Sequence, residues 1–401
     1  FAVWVLNGAM APFISEHFNL SPAQKGFMIS VPIMAGAVMR FPLGVLAQYI
    51  GRKNAALVEM GMIFVAMCYG FFVVTSYSEM LAMGVLLGLA GASFGVALSL
   101  GSGWFPAQYK GLAMGIAGAG NSGTVLAVLF APPLAMKYGW QSVYGLAALT
   151  MLLPILVMLI FAKEPPDRER HSLKELLKCL IEKDGWSFNL IYIITFGGFI
   201  GLANFLPTFF HDQFHVTKVQ AGQLTMLAAV MGSGIRILGG YVSDRIGGIN
   251  SLTAVFVVII ATMLFGATLP ALATTTIMFM LCFAALGAGN GALFQLVPLR
   301  WPTTTAVAGS MIGEIGALGG AFIPNAMGLS KQYTGTFAYG FIAFAILAVA
   351  VLIMLRIVQR KWTTSWVAKG GKALMNHPRR FMIQSAEEYE MLQRQGRFYG
   401  V

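Results

Sequence analysis

Long apolar stretches separated by short polar breaks run along almost the whole chain. A helix that crosses a bilayer needs about 20 mostly apolar residues. The pattern predicts twelve such spans: 1–13, 23–49, 54–75, 79–104, 110–136, 141–162, 186–210, 219–244, 251–270, 274–298, 303–329 and 334–358. The longest interruption, Lys163 to Gly185, carries Pro165-Pro166 and mixed charge and divides the spans six and six. A break of that composition marks a domain boundary. It predicts a first bundle over 1–162, an inter-domain loop over 163–185, a second bundle over 186–358 and a polar tail over 359–401. Within the loop, Leu173 to Ile181 places apolar residues at helical spacing beside lysines. That suits a helix lying on an anionic membrane surface, with a solvated linker as the alternative. The first span is short and opens at Phe1, so the start of the chain reads as a truncation rather than a signal peptide.

Composition agrees: 57% of the residues are hydrophobic and 10% are charged, too little polar surface to cover a soluble fold. The net charge of +11 raises the question of nucleic acid, which the placement of the charges answers. With both termini cytoplasmic, twenty of the 26 Lys/Arg fall on the inner side. Lys25, Lys137, Lys218 and Lys331 fall outside, and Arg40 and Arg236 lie within the membrane. Such a bias is the positive-inside pattern, and it predicts a multi-pass protein of the plasma membrane, the inner membrane in a bacterium, with lipid and no nucleic acid as its surroundings. Cys68, Cys179 and Cys282 have no framework spacing, so no disulfide is expected. His211 and His215 are four apart but have no third ligand nearby, which leaves no metal site, and no phosphate-cradling loop suggests ATP. No cofactor and no enzymatic activity are expected, and the chain reads as a monomer.

Sliding the second half back by 196 positions brings Arg236 onto Arg40, Gly240 onto Gly44, Gly247 onto Gly51, Gly287 onto Gly91 and Gly291 onto Gly95. The same register places Gly316 on Gly120 and Gly319 on Gly123. A parallel duplication of six-helix halves predicts an all-α membrane fold of the major facilitator type, twelve helices in two pseudo-symmetric bundles with the site between them. Its loop signature is present as Gly240 to Gly247 with Asp244 and Arg245, and in the first half as Gly44 to Lys53, where Gln48 replaces the acid. These loops are expected to latch the halves on the cytoplasmic side.

Arg40 and Arg236 occupy matching depths of spans two and eight. A charge there costs at least about 2.5–3.5 kcal/mol, which disfavours keeping it without a task or a partner. An intramembrane salt bridge is one explanation, but only Glu59 and Glu314 among the fifteen acids fall within spans clear of a span's end residue. Two guanidiniums facing one cavity would instead clamp a small planar oxyanion, their forked donors matching its oxygens in pairs. Glycines crowd spans five and eleven: Gly118, Gly120 and Gly123 around Asn121, and Gly313, Gly316 and Gly319 beside Glu314. Small residues let helices approach closely, and a neutral Asn at mid-membrane must find a partner.

With the arginine pair, the run Ala117 to Gly123 and the run Gly313 to Pro324, the chain resembles the nitrate/nitrite porter family of the major facilitator superfamily across nearly all twelve spans. Thr195 to Gly201 and the run Gly287 to Pro298 with Asn290 also read as that family's. The resemblance implies secondary transport of nitrate, nitrite or both, by exchange or with protons. It implies Arg40, Arg236 and Asn121 as anion contacts, joined by Tyr192, Phe94 and Phe196. The glycines named above and Asn290 would serve gating, and Glu314 would be the candidate for proton coupling. A carrier of formate, oxalate or another carboxylate, and more distantly a non-transporting anion sensor, are the competing readings.

Overall fold

A computed structural model of the protein describes residues 1–102, 104, 119–165, 182–301 and 305–373. Gly118, Cys179, the Leu173–Ile181 segment and the tail beyond 373 lie outside the described residues. Span one is broken into α1 (Leu6–Ala9) and α2 (Ala11–His17), with Pro12 in the first turn of α2 where its missing N–H costs nothing. There follow α3 (Pro22–Ile50), α4 (Arg52–Phe72) and α5 (Tyr77–Ser102). Span five is described from a 3-10 turn, Ala119–Ser122, into α6 (Gly123–Tyr138), and α7 (Trp140–Phe161) closes the first half. Span seven is continuous but irregular: α8 (Lys183–Tyr192), a π-helical turn Ile193–Gly197, then α9 (Gly198–Phe214). The second half continues with α10 (Lys218–Ile246), α11 (Gly248–Gly266) and α12 (Leu272–Arg300). Span eleven divides at Gly320-Ala321 into α13 (Thr305–Gly319) and α14 (Phe322–Thr334), and α15 (Ala338–Trp362) ends the bundle. Among the described residues nine helices are long and apolar enough to cross a membrane. Spans one, five and eleven do not qualify because they are broken or only partly described.

The repeat is visible in local geometry. α3 and α10 are each 29 residues long, and both their ends are offset by the same 196 positions. Ser21 and Thr217 each close a capping box with Gln24 and Gln220, satisfying two backbone donors reciprocally. At the far ends Gly51 and Gly247 take φ of 92° and 96°, a left-handed conformation that a side chain would strain. We refer to the side bearing the two capping boxes as the capped face and to the opposite side as the turn face. Glu164 accepts the backbone N–H groups of Arg52 and Lys53 at 2.8 and 2.9 Å, whereas Gly247 packs on Gly370. The segment after α15 thus folds back under the second half, where Gln295 Nε2 donates to the Gly371 carbonyl at 3.3 Å.

In lipid, helices associate through close packing rather than burial from water, and the glycines mark where backbones meet. Gly287 of α12 abuts the Gly232 backbone of α10, and Gly88 of α5 abuts Ala35 and Gly36 of α3. The halves meet in the same way on the capped face. Gly26 of α3 sits on Pro324 and Gly328 of α14, Gly222 of α10 on Val128 of α6, and Gly8 of α1 on Asn204 of α9. Ser30 Oγ donates to the Ala321 carbonyl at 3.1 Å, and Asn325 Nδ2 donates to Ser30 Oγ at 2.8 Å. Toward the turn face, by contrast, a side chain added at Gly44 of α3 or at Gly120 would meet open space.

Candidate functional site

Arg40 lies 18 positions into α3 and is 3% exposed. Its Nε donates to the Gly91 carbonyl of α5 at 3.0 Å, which fixes the guanidinium plane. The cation faces the Phe94 and Trp4 rings, 5.4 and 5.8 Å from their centroids, and Trp4 is itself held by a 2.9 Å bond from Nε1 to the Pro32 carbonyl. Gly313 of α13 closes the remaining side, so that a methyl added there would lie 3.2 Å from Nη1. Nη2 is buried without a hydrogen-bond partner.

Arg236 holds the equivalent place on α10 but is only partly buried. Its guanidinium lies 5.9 Å from the Phe294 centroid on α12, and its Nη1 is likewise buried without a partner. Between the two arginines the rings form an unbroken chain. Phe94 meets Phe1 edge-on at 5.6 Å, and Phe1 meets Phe196 at 6.3 Å. Phe196 and Tyr192 stack face to face at 4.9 Å with 5° between planes, and Tyr192 meets Phe294 edge-on at 5.4 Å. Stacking positions four apart on a helix is helped by the π-helical turn, which begins directly after Tyr192. The Tyr192 hydroxyl is buried with no partner at hydrogen-bond geometry, yet it lies within electrostatic reach of both Arg236 and Arg40.

The glycine run of span eleven is shaped to this arrangement. Gly313 faces Arg40, Gly316 faces the Tyr192 ring and Gly319 faces Ile193, one after another along one side of α13. A methyl at Gly316 would overlap the Tyr192 ring carbons. Glu314, 8% exposed on the same helix, lies close enough to Arg40 for the two charges to interact. Asn121 is buried in the 3-10 turn that packs against α10, with both its amide oxygen and nitrogen unpaired. Gly123 approaches Phe1 and Ala2, and Gly120 is exposed. Asn290 is buried on α12 one turn before Phe294, and both its polar atoms are unpaired as well.

Buried polar groups are almost always hydrogen-bonded, so the unsatisfied donors here, with the two guanidinium nitrogens Arg40 Nη2 and Arg236 Nη1 able only to donate, are ones that an anion would complete. Sequence reasoning missed several members. Asn189, three residues before Tyr192, and Ser233, three before Arg236, each carry buried unpaired polar atoms, as does Thr195. Helical spacing from a named residue was the signal for the first two. Phe294, four after Asn290, was in view by the same rule. Trp4 and Phe1 carried no such signal. His211 and His215 hold no metal cluster: among the described residues no group of three possible ligands occurs. His211 Nδ1 instead lies 2.8 Å from the Val216 carbonyl, and His215 ends α9 in a left-handed conformation. A cavity of about 740 Å³ lies on the first half among α4, α5 and α7, with Phe1, Glu59 and Lys163 on its wall and neither arginine.

This architecture matches that of known carriers. The Major Facilitator Superfamily profile matches residues 1–324, and the chain belongs to that superfamily. A bacterial homolog of the human lysosomal transporter Spinster, solved in an inward-facing and occupied conformation, shares the fold with a TM-score of 0.67 at 18% identity. That alignment covers 92% of this chain and 96% of the other. The probable nitrate transporter NarT of Staphylococcus carnosus (strain TM300) is 31% identical over 372 residues, covering 90% of this chain and 93% of the relative. The nitrite extrusion protein of Bacillus subtilis (strain 168) is 27% identical, with 88% and 90% covered. The probable nitrate/nitrite antiporter NarK1 of Thermus thermophilus is 28% identical, with 88% and 87% covered. Within the superfamily the chain belongs with the nitrate/nitrite porters.

Proposed function

We propose that this protein carries nitrate, nitrite or both across the membrane by alternating access, binding the anion between Arg40 and Arg236. The observation that supports the reading most strongly is the pair of buried, partnerless donor atoms, Arg40 Nη2 and Arg236 Nη1, at repeat-equivalent positions on opposite halves. A flat anion accepts from two forks at once, and the Tyr192 hydroxyl with the amides of Asn121 and Asn290 supplies further neutral contacts. The rings of Phe94 and Phe196 bound the site and favour a planar guest. Anion binding draws the halves together because each half contributes one arginine, which is the differential affinity that alternating access requires.

The protein then acts as a monomeric carrier rather than an enzyme, in the bacterial inner membrane, with the turn face and both termini cytoplasmic and the capped face outside. Glu314 beside Arg40 is the residue that would link anion movement to protons; without that link the carrier exchanges nitrate for nitrite. The deciding experiment is competition in proteoliposomes, with unlabelled nitrate, nitrite, formate, oxalate and chloride tested against labelled nitrate uptake. Nitrate and nitrite should compete best. Stronger competition by formate or oxalate would give the site to a carboxylate.

A further inference from the structure

Two ion pairs bridge the halves on the capped face, and their acids are related by the repeat. Lys25 of α3 pairs with Asp212 of α9 at 2.8 Å, and Lys218 of α10 pairs with Glu16 of α2. Glu16 and Asp212 are equivalent under the 196-position shift, each in the last turn of the helix that opens the capped side of its half. Each lysine lies in the first turns of the next long helix, Lys25 just after the Ser21–Gln24 capping box and Lys218 within the Thr217–Gln220 box. Each acid therefore grips the lysine of the opposite half. Lys218 is gripped twice, since its ammonium also lies 4.8 Å from the Phe13 ring, one turn before Glu16 on α2.

All four charges sit at the end of their helix where the backbone dipole disfavours them. A cation near a helix N-terminus faces the positive end, and an anion near a C-terminus faces the negative end. Local electrostatics would select the reverse placement. What offsets the penalty here is the partner on the other half, and that partner is present only while the capped face is shut. When the halves part, each charge is left against its own dipole.

We infer that Lys25–Asp212 and Lys218–Glu16 form a paired electrostatic latch that holds the capped face closed and sets the balance between the two access states. The pairs are unequal. Lys25 and Asp212 have side chains 17% and 20% exposed, whereas Glu16 is 69% exposed against 19% for Lys218. Solvent screening leaves an exposed pair little, so Lys25–Asp212 is the stronger half of the latch. The 3.1 Å bond from the Ala23 backbone N–H to Gln332 Oε1 lies beside it and also crosses between halves.

The test is a distance measurement on the full chain in proteoliposomes or nanodiscs. Spin labels at Tyr138 and Tyr333, both exposed ends of helices on the capped face in opposite halves, report its opening by double electron–electron resonance. Lys25→Asp should add a longer-distance population, and the swap Lys25→Asp with Asp212→Lys should remove it. Asp212→Asn, which introduces no repulsion, should move the open-to-closed ratio about two- to fivefold. Glu16→Gln should move it less. Unchanged distributions in Lys25→Asp and Asp212→Asn, or a swap that stays as open as the single reversal, would overturn the latch. The readout uses no substrate, so that result would leave the anion reading standing.

Discussion

Replacing Arg40 by Lys isolates the forked donor from the charge. Arg40 uses Nε for the Gly91 carbonyl and keeps Nη2 free for a ligand, two jobs performed from one rigid plane. Lysine ends in a single ammonium, which cannot occupy both positions. If it holds Gly91, it withdraws from the anion; if it faces the anion, a buried carbonyl loses its donor. Either way one hydrogen bond to a charged group is lost, and such a bond contributes about 1.5–3 kcal/mol. At about 1.4 kcal/mol per tenfold, half-saturation by nitrate should rise about 10- to 150-fold. The rings of Trp4 and Phe94 add little to the difference, because both cations interact with an aromatic face, though the guanidinium stacks more fully. The assay is labelled nitrate uptake into proteoliposomes over a range of concentrations, paired with nitrate-dependent thermal stabilisation of the purified protein to confirm folding. If the folded Lys variant half-saturates at the wild-type concentration, charge alone holds the anion and the fork argument is wrong.

Three further outcomes follow from the same site. Asn121→Ala removes a buried amide with no internal partner, so the empty protein should stay stable while nitrate binding weakens by about 1–3 kcal/mol, read by isothermal titration. Gly316→Ala sets a methyl against the Tyr192 ring and should cost about 1–3 kcal/mol of overpacking, seen as slowed nitrate/nitrite exchange that Tyr192→Leu partly restores. Glu314→Gln should abolish nitrate accumulation driven by an inward-acid gradient yet keep exchange. Undiminished accumulation would assign Glu314 to packing.

Periodicity carried most of the fold because lipid imposes one requirement on every span, a full internal complement of backbone hydrogen bonds. Helix ends were legible within a few residues wherever a capping residue or a glycine turn set them, as at Ser21, Gly51, Thr217 and Gly247. The internal breaks were not. The split at Met10 and the division at Gly320 lie where the two halves touch, as Gly8 does Asn204 and Gly320 does Ile33, whereas the π-helical turn after Tyr192 packs on Gly316, Gly319 and Gly320 of its own half; a single-chain hydropathy pattern holds no term for either. Within the site, the arginines stood out because charge at that depth is costly, and Asn121 because a polar group there needs a partner. Asn189 and Ser233 are as anomalous in the structure but follow from the sequence only once Tyr192 and Arg236 are fixed. The glycines of α13 were legible as smooth surface; that each accommodates a particular neighbour, from Arg40 to Tyr192 to Ile193, required coordinates.

The two arginines are equivalent in sequence and unequal in setting, and the inequality assigns them different work. Arg40 is enclosed by Gly91, Phe94, Trp4 and Gly313, a surround that leaves Nη2 as a buried donor without a partner. Arg236 is partly exposed, touching Phe294 on its own half. A ligand can shift a conformational equilibrium only by the difference in its affinity for the two states. If the anion binds between them as proposed, contacts to Arg40 are the ones already built in the state described, and contacts to Arg236 are the ones to be gained as the halves close. On that proposal Arg40 acts as the anchor and Arg236 as the closing arm. Arg236→Lys should accordingly lower the maximal exchange rate by a larger factor than it raises half-saturation, whereas Arg40→Lys should do the opposite. Exchange kinetics of the two variants side by side decide the matter. Equal effects on both parameters in both variants would mean that the pair acts as one symmetric clamp.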